Sequence, residues 1–457
     1  MPSGTTERLG ALAFAPNARF LDDALAQLDG DGAEGARRRE ALAAFLDLPA
    51  PGARPSRGWK HDYDKLSYDE LRWTTGRITM PVAPRRPAQR KPSSEADATA
   101  DQPALATENA GGLYHIGATF VDAPSGVDPR VTVLPLDLAT ARDFSASLDG
   151  VQGAIVDWRA DKFAALATAF QNCGAYVHVP AGIVLDAPIQ LVFATAPDAE
   201  AVFPHIVVIL EAGARATVIE RHVGDGDPFV CGIVEVQAGD GAELDYVTVQ
   251  QAGESARTIF SRNARVLRDA TVRWHLAELG ATLARTVIGA RLEAPGARAE
   301  TAALFFNTGM QHVDLLTGAD HQVGPTTSDT VVRSAATDRG QGRYVGNIVI
   351  RPKAHGSDAS LRDDALLLSK HAHIDSIPAL EIAANDVRAF HGATVGSLDE
   401  DALFYVGSRG IPRPEALRLI ALGFFEPVIA RFPSETLRDE IRTALDAKID
   451  DATEFVS

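Results

Sequence analysis

The sequence predicts a mainly β protein, a parallel β-helix (solenoid) core flanked by N- and C-terminal α-helical regions. Three observations carry this. Four similar strand starts recur: Gly213-Ala214 before RATVIE, Gly241-Ala242 before ELDYVTV, Asp269-Ala270 before TVRWHL, and Gly296-Ala297 before RAETAALFF. Their alanines lie 28, 28 and 27 residues apart. Each start follows a second strand-like run, HIVVILE (205–211), GIVEVQ (232–237), ARVLR (264–268) or VIGARLE (287–293), so the repeating unit holds two strands. On both sides of this region the apolar spacing changes to the helical period.

A two-strand unit of this period suits one coil of a solenoid. Stacked coils form parallel sheets and bury continuous inner rows of Val, Ile, Leu and Ala. Small residues at the turns let the coil bend tightly, and an aromatic content of 7% suits a narrow interior. An antiparallel meander would look similar locally; the near-constant period favours the solenoid. The repeat fades before residue 205 and after 306. Glu235 and Glu243 with Asp245, at alternate positions, read as the solvated face of half-buried strands.

Four regions follow. Residues 1–80 read as helical: Phe20, Leu21, Ala24, Leu25 and Leu28 precede Gly30, a second segment runs from Ala36 to Leu48, and a third spans Tyr68–Trp73. Residues 81–111, punctuated by Pro81, Pro84, Pro87, Pro92 and Pro103, are too polar to bury a core and read as a linker. Residues 112–396 are the β core. Residues 397–457 are helical again: Asp399 is a candidate N-cap, Pro414 opens a stripe of Leu417, Ile420, Ala421, Phe424 and Val428, and Ser434 caps a helix carrying Leu437, Ile441, Leu445 and Ile449. That last row packs either on the preceding helix or on another subunit.

Length and charge bound the function. At 457 residues the chain exceeds what one core supports. A net charge of −17 repels phosphate backbones and anionic lipid, which argues against nucleic acid and membrane partners. The N-terminal segment has no basic region leading into an apolar core, and no apolar run approaches the ~18 residues of a membrane span, so a cytoplasmic protein is expected. Cys173 and Cys231 stand alone, which excludes a disulfide framework and a four-cysteine iron–sulfur site made by this chain alone. P-loop, nucleophile-elbow, zincin and dinucleotide fingerprints are absent. Those absences point to a scaffold, not an enzyme.

His371 and His373 share one face of a strand, a spacing that serves metal binding but more often marks exposed side chains. His391, in AFHGATVG, has an open face beside glycine, and imidazole is a good ligand for iron. Glu381, between Leu380 and Ile382, falls on the face opposite those two, as a solvated carboxylate would.

The segment LLLSKHAHIDSIPALEIAANDVRAFHGATVGSLDEDALFYVGSRGI (366–411) resembles the C-terminal signature of the SufB/SufD family of iron–sulfur cluster assembly proteins. The matching parts are LLLS, the P-x-LEI run, the DV before HGATVG, LDE-x-x-LFY and SRGI. Weaker similarity extends through HQVGPTTSDTVVRSA (321–335), GNIVIRP (346–352), AYVHVPAGIVLDAPIQL (175–191) and GWKHDYDKL (58–66). The resemblance implies a right-handed parallel β-helix and a scaffold role beside a SufB-like paralogue and a SufC-like ABC ATPase. It implies a transient cluster shared with the partner, nothing permanently bound, and His391 as the ligand from this chain, with Glu381 a weaker candidate. The ATPase would dock on the helices after Gly396, through Asp399, Leu403, Phe404, Tyr405, Arg409, Leu417 and Phe424.

HGATVG marks the SufD-type branch, since SufB-type chains carry Glu directly after the histidine. Two departures stand out: Ala389 replaces the cysteine often found two residues before the histidine, and Asn385-Asp386-Val387 replaces Asp-Asp-Val. Two rival readings are a homodimeric scaffold acting without a SufB-like partner and a β-helix carbohydrate-active enzyme, which needs paired carboxylates along a groove.

Overall fold

In the computed structural model, residues 33–49, 72–73, 111–122, 128–140, 144–195, 200–398 and 400–452 are described. The turns flagged by the sequence build the coil. Gly213, Gly241, Asp269 and Gly296 all take left-handed backbone, with φ of 68°, 69°, 55° and 80°. Each donates its amide to the corresponding turn of the next coil, Gly213 to the Asp240 carbonyl at 2.8 Å, Gly241 to Arg268 at 2.7 Å, Asp269 to Pro295 at 3.2 Å and Gly296 to Pro325 at 2.8 Å. The turns therefore stack in a column, and the strands between them stack with them.

The result is a parallel β-solenoid of about eight turns. One sheet runs from Cys173–Val179 through Pro204–Leu210, Phe229–Ala238, Arg257–Val266, Leu283–Leu292, His312–His321 and Gln341–Ile350 to His373–Ile382. The other runs from Ile189–Ala194 through Arg215–Gly224, Glu243–Ala252, Thr271–Glu278, Arg298–Asn307, Thr327–Ala336 and Asp358–Leu367 to Arg388–Ser397. Every pairing along both runs is parallel. Only at the start does this change: Thr132–Pro135 pairs antiparallel with Cys173–Val179, and Thr119–Asp122 antiparallel with Gly111–Ile116.

Alternate residues of both sheets point inward and form one apolar core. The coils continue well past residue 306, where the sequence repeat fades. Thr326 and Ser357 take the place of the turn alanines there, and their hydroxyls bond to each other at 2.9 Å. The interior is not uniformly apolar. Glu220 is fully buried and binds Arg262 at 2.9 Å, His222 at 2.5 Å and Tyr246 at 2.7 Å. Despite its burial, the Arg262 guanidinium and these hydrogen bonds hold its carboxyl down at about 2.

Helices cover the outer faces. Ala33–Asp47 and Lys162–Phe170 pack on the first sheet through Phe45, Phe163, Phe170, Phe229 and Ile259. Lys162 Nζ donates to the carbonyls of Phe45 at 2.5 Å and Leu48 at 2.7 Å, and Asp161 caps the second helix by accepting from the Phe163 and Ala164 amides. Three helices thus interrupt the region expected to be strand from residue 112: Leu136–Thr140, Ser145–Leu148 and Lys162–Phe170. The last, KFAALATAF, is alanine-rich and capped, so local propensity favours the helix.

This cover corrects the reading of Glu235 as a solvated acid. Segment 150–170 lies over its face, and the buried carboxylate accepts the amides of Gly153, Ile155 and Val156 at 2.5, 2.8 and 2.9 Å and pairs with His205 at 2.8 Å. Arg72–Trp73 is a short strand beside Glu200–Ala201, not part of a helix; pairing to a free sheet edge overrides local preference. The helix expected around Phe20–Leu28, the GWKHDYDKL motif and the proline-rich stretch 81–110 lie outside the described residues.

At the other end, helices Glu400–Gly407, Arg413–Ile429 and Glu435–Asp451 return along the outer face of the second sheet. Ser434 caps the last, as expected. Its row Leu437, Ile441, Leu445 and Ile449 is buried in one cluster with Phe425 and Val428 of the preceding helix and Ile219, Val247, Ala277 and Phe306 of the sheet. Burial at about 2 kcal/mol per side chain makes this row an internal seam. Lys448 Nζ ties the helix down at the Leu279 carbonyl, 2.7 Å, and Gln311 Oε1, 2.6 Å.

Candidate functional site

The solenoid ends on two strands, His373–Ile382 and Arg388–Ser397, each paired on one side only. Apolar side chains surface there: Ile377, Ile382, Phe390 and Val395 are 40%, 47%, 51% and 46% exposed, Ile377 and Phe390 on the outer faces and Ile382 and Val395 on the inner face. The register partners of Ile382 and Val395 one coil back, Ile350 and Ala365, are buried. The exposure therefore comes from a missing next coil, not from a polar sequence. Pro378, register partner of Gly346, sits midway along one of these edges and removes a donor from it.

His391 belongs to this end. Its register column reads Val218, Tyr246, Trp274, Thr301, Thr330, Leu361, His391, and every member before it is buried. The imidazole thus stands on the inner face of the last coil, at the mouth of the solenoid. Ala389 lies two positions away on the same face and offers only a methyl group, partly buried on the core. Phe390 points outward, its ring close against Gly392, where an added Cβ would meet it at 3.1 Å.

Glu381 is placed apart from His391. It falls on the outer face, in the column Gln237, Arg265, Arg291, Asp320, Val349, and receives a 3.3 Å hydrogen bond from Asn347. His371 is exposed before the strand, while His373 pairs with Asp375 at 2.9 Å. Among the described residues, no three His, Cys, Asp or Glu side chains are arranged to hold a metal ion.

The sequence reading missed Asp363. It faces inward from Asp358–Leu367, fully buried, opposite Ala393 in the last strand. Burial lifts its carboxyl from 3.8 to about 7, against the lowering effects of nearby Ser376 and Arg333. The signal was present: in DASLRDDAL, alternation with Leu361 inward sends one of two adjacent aspartates into the core.

The helical region follows the last strand almost directly, with Leu398 buried and helix Glu400–Gly407 beginning two residues later. Phe404 and Tyr405 project from it, 79% and 57% exposed, and the Arg409 guanidinium lies 4.4 Å above the Tyr405 ring. Leu403 and Leu417 are buried in the chain's own core, and Phe424 is partly buried with Arg333 over its ring at 4.9 Å. Of the residues expected at an ATPase contact, Phe404, Tyr405 and Arg409 are exposed. Asp399 lies outside the described residues. Among those described, no helix is long and apolar enough to cross a membrane.

Fold and site define a class of protein: a parallel β-solenoid with one open end, a histidine at its mouth and helices folded back along its flank. Residues 192–424, about half the chain, match the SufBD core domain of SUF-system iron–sulfur cluster assembly. The chain belongs to the SufBD family. It is similar to an iron–sulfur cluster assembly SufBD family protein of Mycobacterium leprae, 29% identical over 57% of this chain and 30% of that protein. It is 28% identical to the iron–sulfur cluster assembly protein SufD of Bacillus subtilis, over 63% of this chain and 67% of the relative. To SufB of the same bacterium it is also 28% identical, over 60% of each chain. The matches thus span less than a third of the first relative, 67% of the second and 60% of the third. The family is described as one of SUF-system iron–sulfur cluster assembly.

Proposed function

We propose that the chain is a SufD-type scaffold subunit, which joins a SufB-like paralogue through the open end of its solenoid and works with a SufC-like ATPase. The observation that carries this is the uncapped last coil. Two unpaired strand edges and the exposed inner-face residues Ile382 and Val395 lie at the mouth with His391, an arrangement that a second solenoid of the same cross-section would cover. Iron and sulfide are the cargo. His391 supplies one ligand, and Ala389 supplies none, so the remaining ligands come from the partner.

The HGATVG sequence supports the SufD-type assignment, since overall identity is the same to SufD and SufB of one bacterium. Phe404, Tyr405 and Arg409 form the ATPase contact in this reading. Movement of their helix would reach the last coil through the short link at Leu398. The outer-face acids Glu243, Asp320 and Asp364 are paired with Arg215, Arg351 and Arg333, which leaves them poorly suited to paired-carboxylate chemistry.

The test is co-expression of the chain with a SufB-like paralogue and a SufC-like ATPase, followed by purification through a tag on this chain. A stable three-component complex that accumulates a cluster is expected. Failure of the paralogue to co-purify, with the chain self-associating through the same end, would establish the homodimeric alternative.

A further inference from the structure

Asp363 is the one buried carboxylate among the described residues with neither oxygen hydrogen-bonded. Glu220, Glu235, Glu278, Asp314 and Asp338 each have at least one partner. Ser376 Oγ, on the last strand of the first sheet, is the hydroxyl that acts on the Asp363 carboxyl, and it too has no partner at ordinary hydrogen-bond geometry. Such groups are normally satisfied, because leaving them bare forfeits their hydration with no return.

Their position gives the reason. Register pairs Leu361 with His391 and Asp363 with Ala393, so Asp363 and His391 are diagonal neighbours on one inner face. Strand spacing and rise put their Cα atoms about 8 Å apart, within reach of an ion held between a carboxylate and an imidazole. Towards the open end Asp363 is covered in its own column by the methyl group of Ala393 alone.

We propose that Asp363 and His391 together form a mixed oxygen–nitrogen site that takes a divalent transition-metal ion through the mouth of the solenoid, with the Ser376 hydroxyl beside the carboxylate. The pairing suits ferrous iron and its analogues. Two side chains leave most of the coordination sphere to water or to a partner, as a cargo site that must release its ion requires. The inference rests on the reading of the open end as the assembly site, and adds a second ligand to it.

Co²⁺ is the probe, titrated into the purified full-length chain and followed by its visible d–d absorption and by calorimetry. Wild type is expected to bind one ion, and Asp363→Asn and His391→Ala each to weaken binding at least tenfold. The double variant should be little worse than either single one, since both remove the same site. Asp363→Ala runs alongside, so that one folded variant suffices, with circular dichroism as the check. Unchanged affinity in folded Asp363 variants, with loss in His391→Ala, would overturn the role of Asp363 and leave His391 as ligand. Unchanged affinity in both, or no binding by wild type, would overturn the site, while the co-purification test above decides the scaffold reading separately.

Discussion

His391 is the register partner of Leu361, so an imidazole ends a column that is otherwise buried from Val218 onward. Nothing in the fold requires it there. His391→Ala should change unfolding free energy by no more than about 0.5 kcal/mol, as expected for an exposed site. Cluster carried by the co-purified complex, read from its visible charge-transfer absorbance, should fall severalfold. Denaturant titration and absorbance together check this.

Asp363 makes stability fall as pH rises. The folded chain keeps its proton up to about pH 7, whereas the unfolded chain releases it near 3.8. The contribution is complete below 3.8 and is lost as pH climbs through 7, at up to about 1.4 kcal/mol per pH unit. His115 and His321, each held down at about 4 by burial, act oppositely and lose stability as pH falls from 6.5 through 4. Asp363→Asn leaves both histidines intact. The stability gap between variant and wild type should therefore widen in the variant's favour between pH 4 and 7.5, measured by urea unfolding.

The buried pair inside the solenoid is structural. Glu220→Gln strips Arg262 of its carboxylate where no water reaches it, and should cost about 3–5 kcal/mol. A drop in melting temperature without a change in partner binding is the expected signature.

On the helical flank, Phe404 and Phe425 should separate binding from folding. Phe404→Ala, at an exposed ring, should leave melting unchanged and weaken capture of the ATPase. Phe425→Ala opens a cavity beside Phe306 and should cost about 3–5 kcal/mol. Pull-down and calorimetry on both variants distinguish the two roles.

The turn column gives a graded test. At Gly241 an added Cβ meets nothing within 4 Å, so Gly241→Ala should cost only the left-handed backbone, about 1–2 kcal/mol. At Gly296 the same atom would fall 1.9 Å from Asp269 Oδ1, and the loss should be larger. Thermal unfolding of the two variants ranks them.

These turns also show how far the sequence could be read. Gly213, Gly241, Asp269 and Gly296 disclosed the coil because left-handed backbone restricts residue choice. Gly356 and Asp386 continue the column with φ of 74° and 57°, but polar Thr326 and Ser357 replace the alanines that made the period visible. His391 was legible through its motif, and its inward direction needed the register. Asp363 was legible from its alternation with Leu361, whereas Glu235 was hidden because alternation tells which residues share a face, not whether another element covers that face. The same limit explains Leu403 and Leu417, whose helices turn their apolar sides to the chain's own sheet.

The two ends of the solenoid are unlike. At the start, short antiparallel strands, one ending in Pro135, occupy the sheet edges, whereas the last coil is open. Head-to-tail stacking needs two complementary ends and would run on into a fibre. If the mouth is the interface proposed above, with Pro378 breaking the donor series along it, the described residues offer one receptive end, and a union there would use it up and stop assembly at a pair of solenoids.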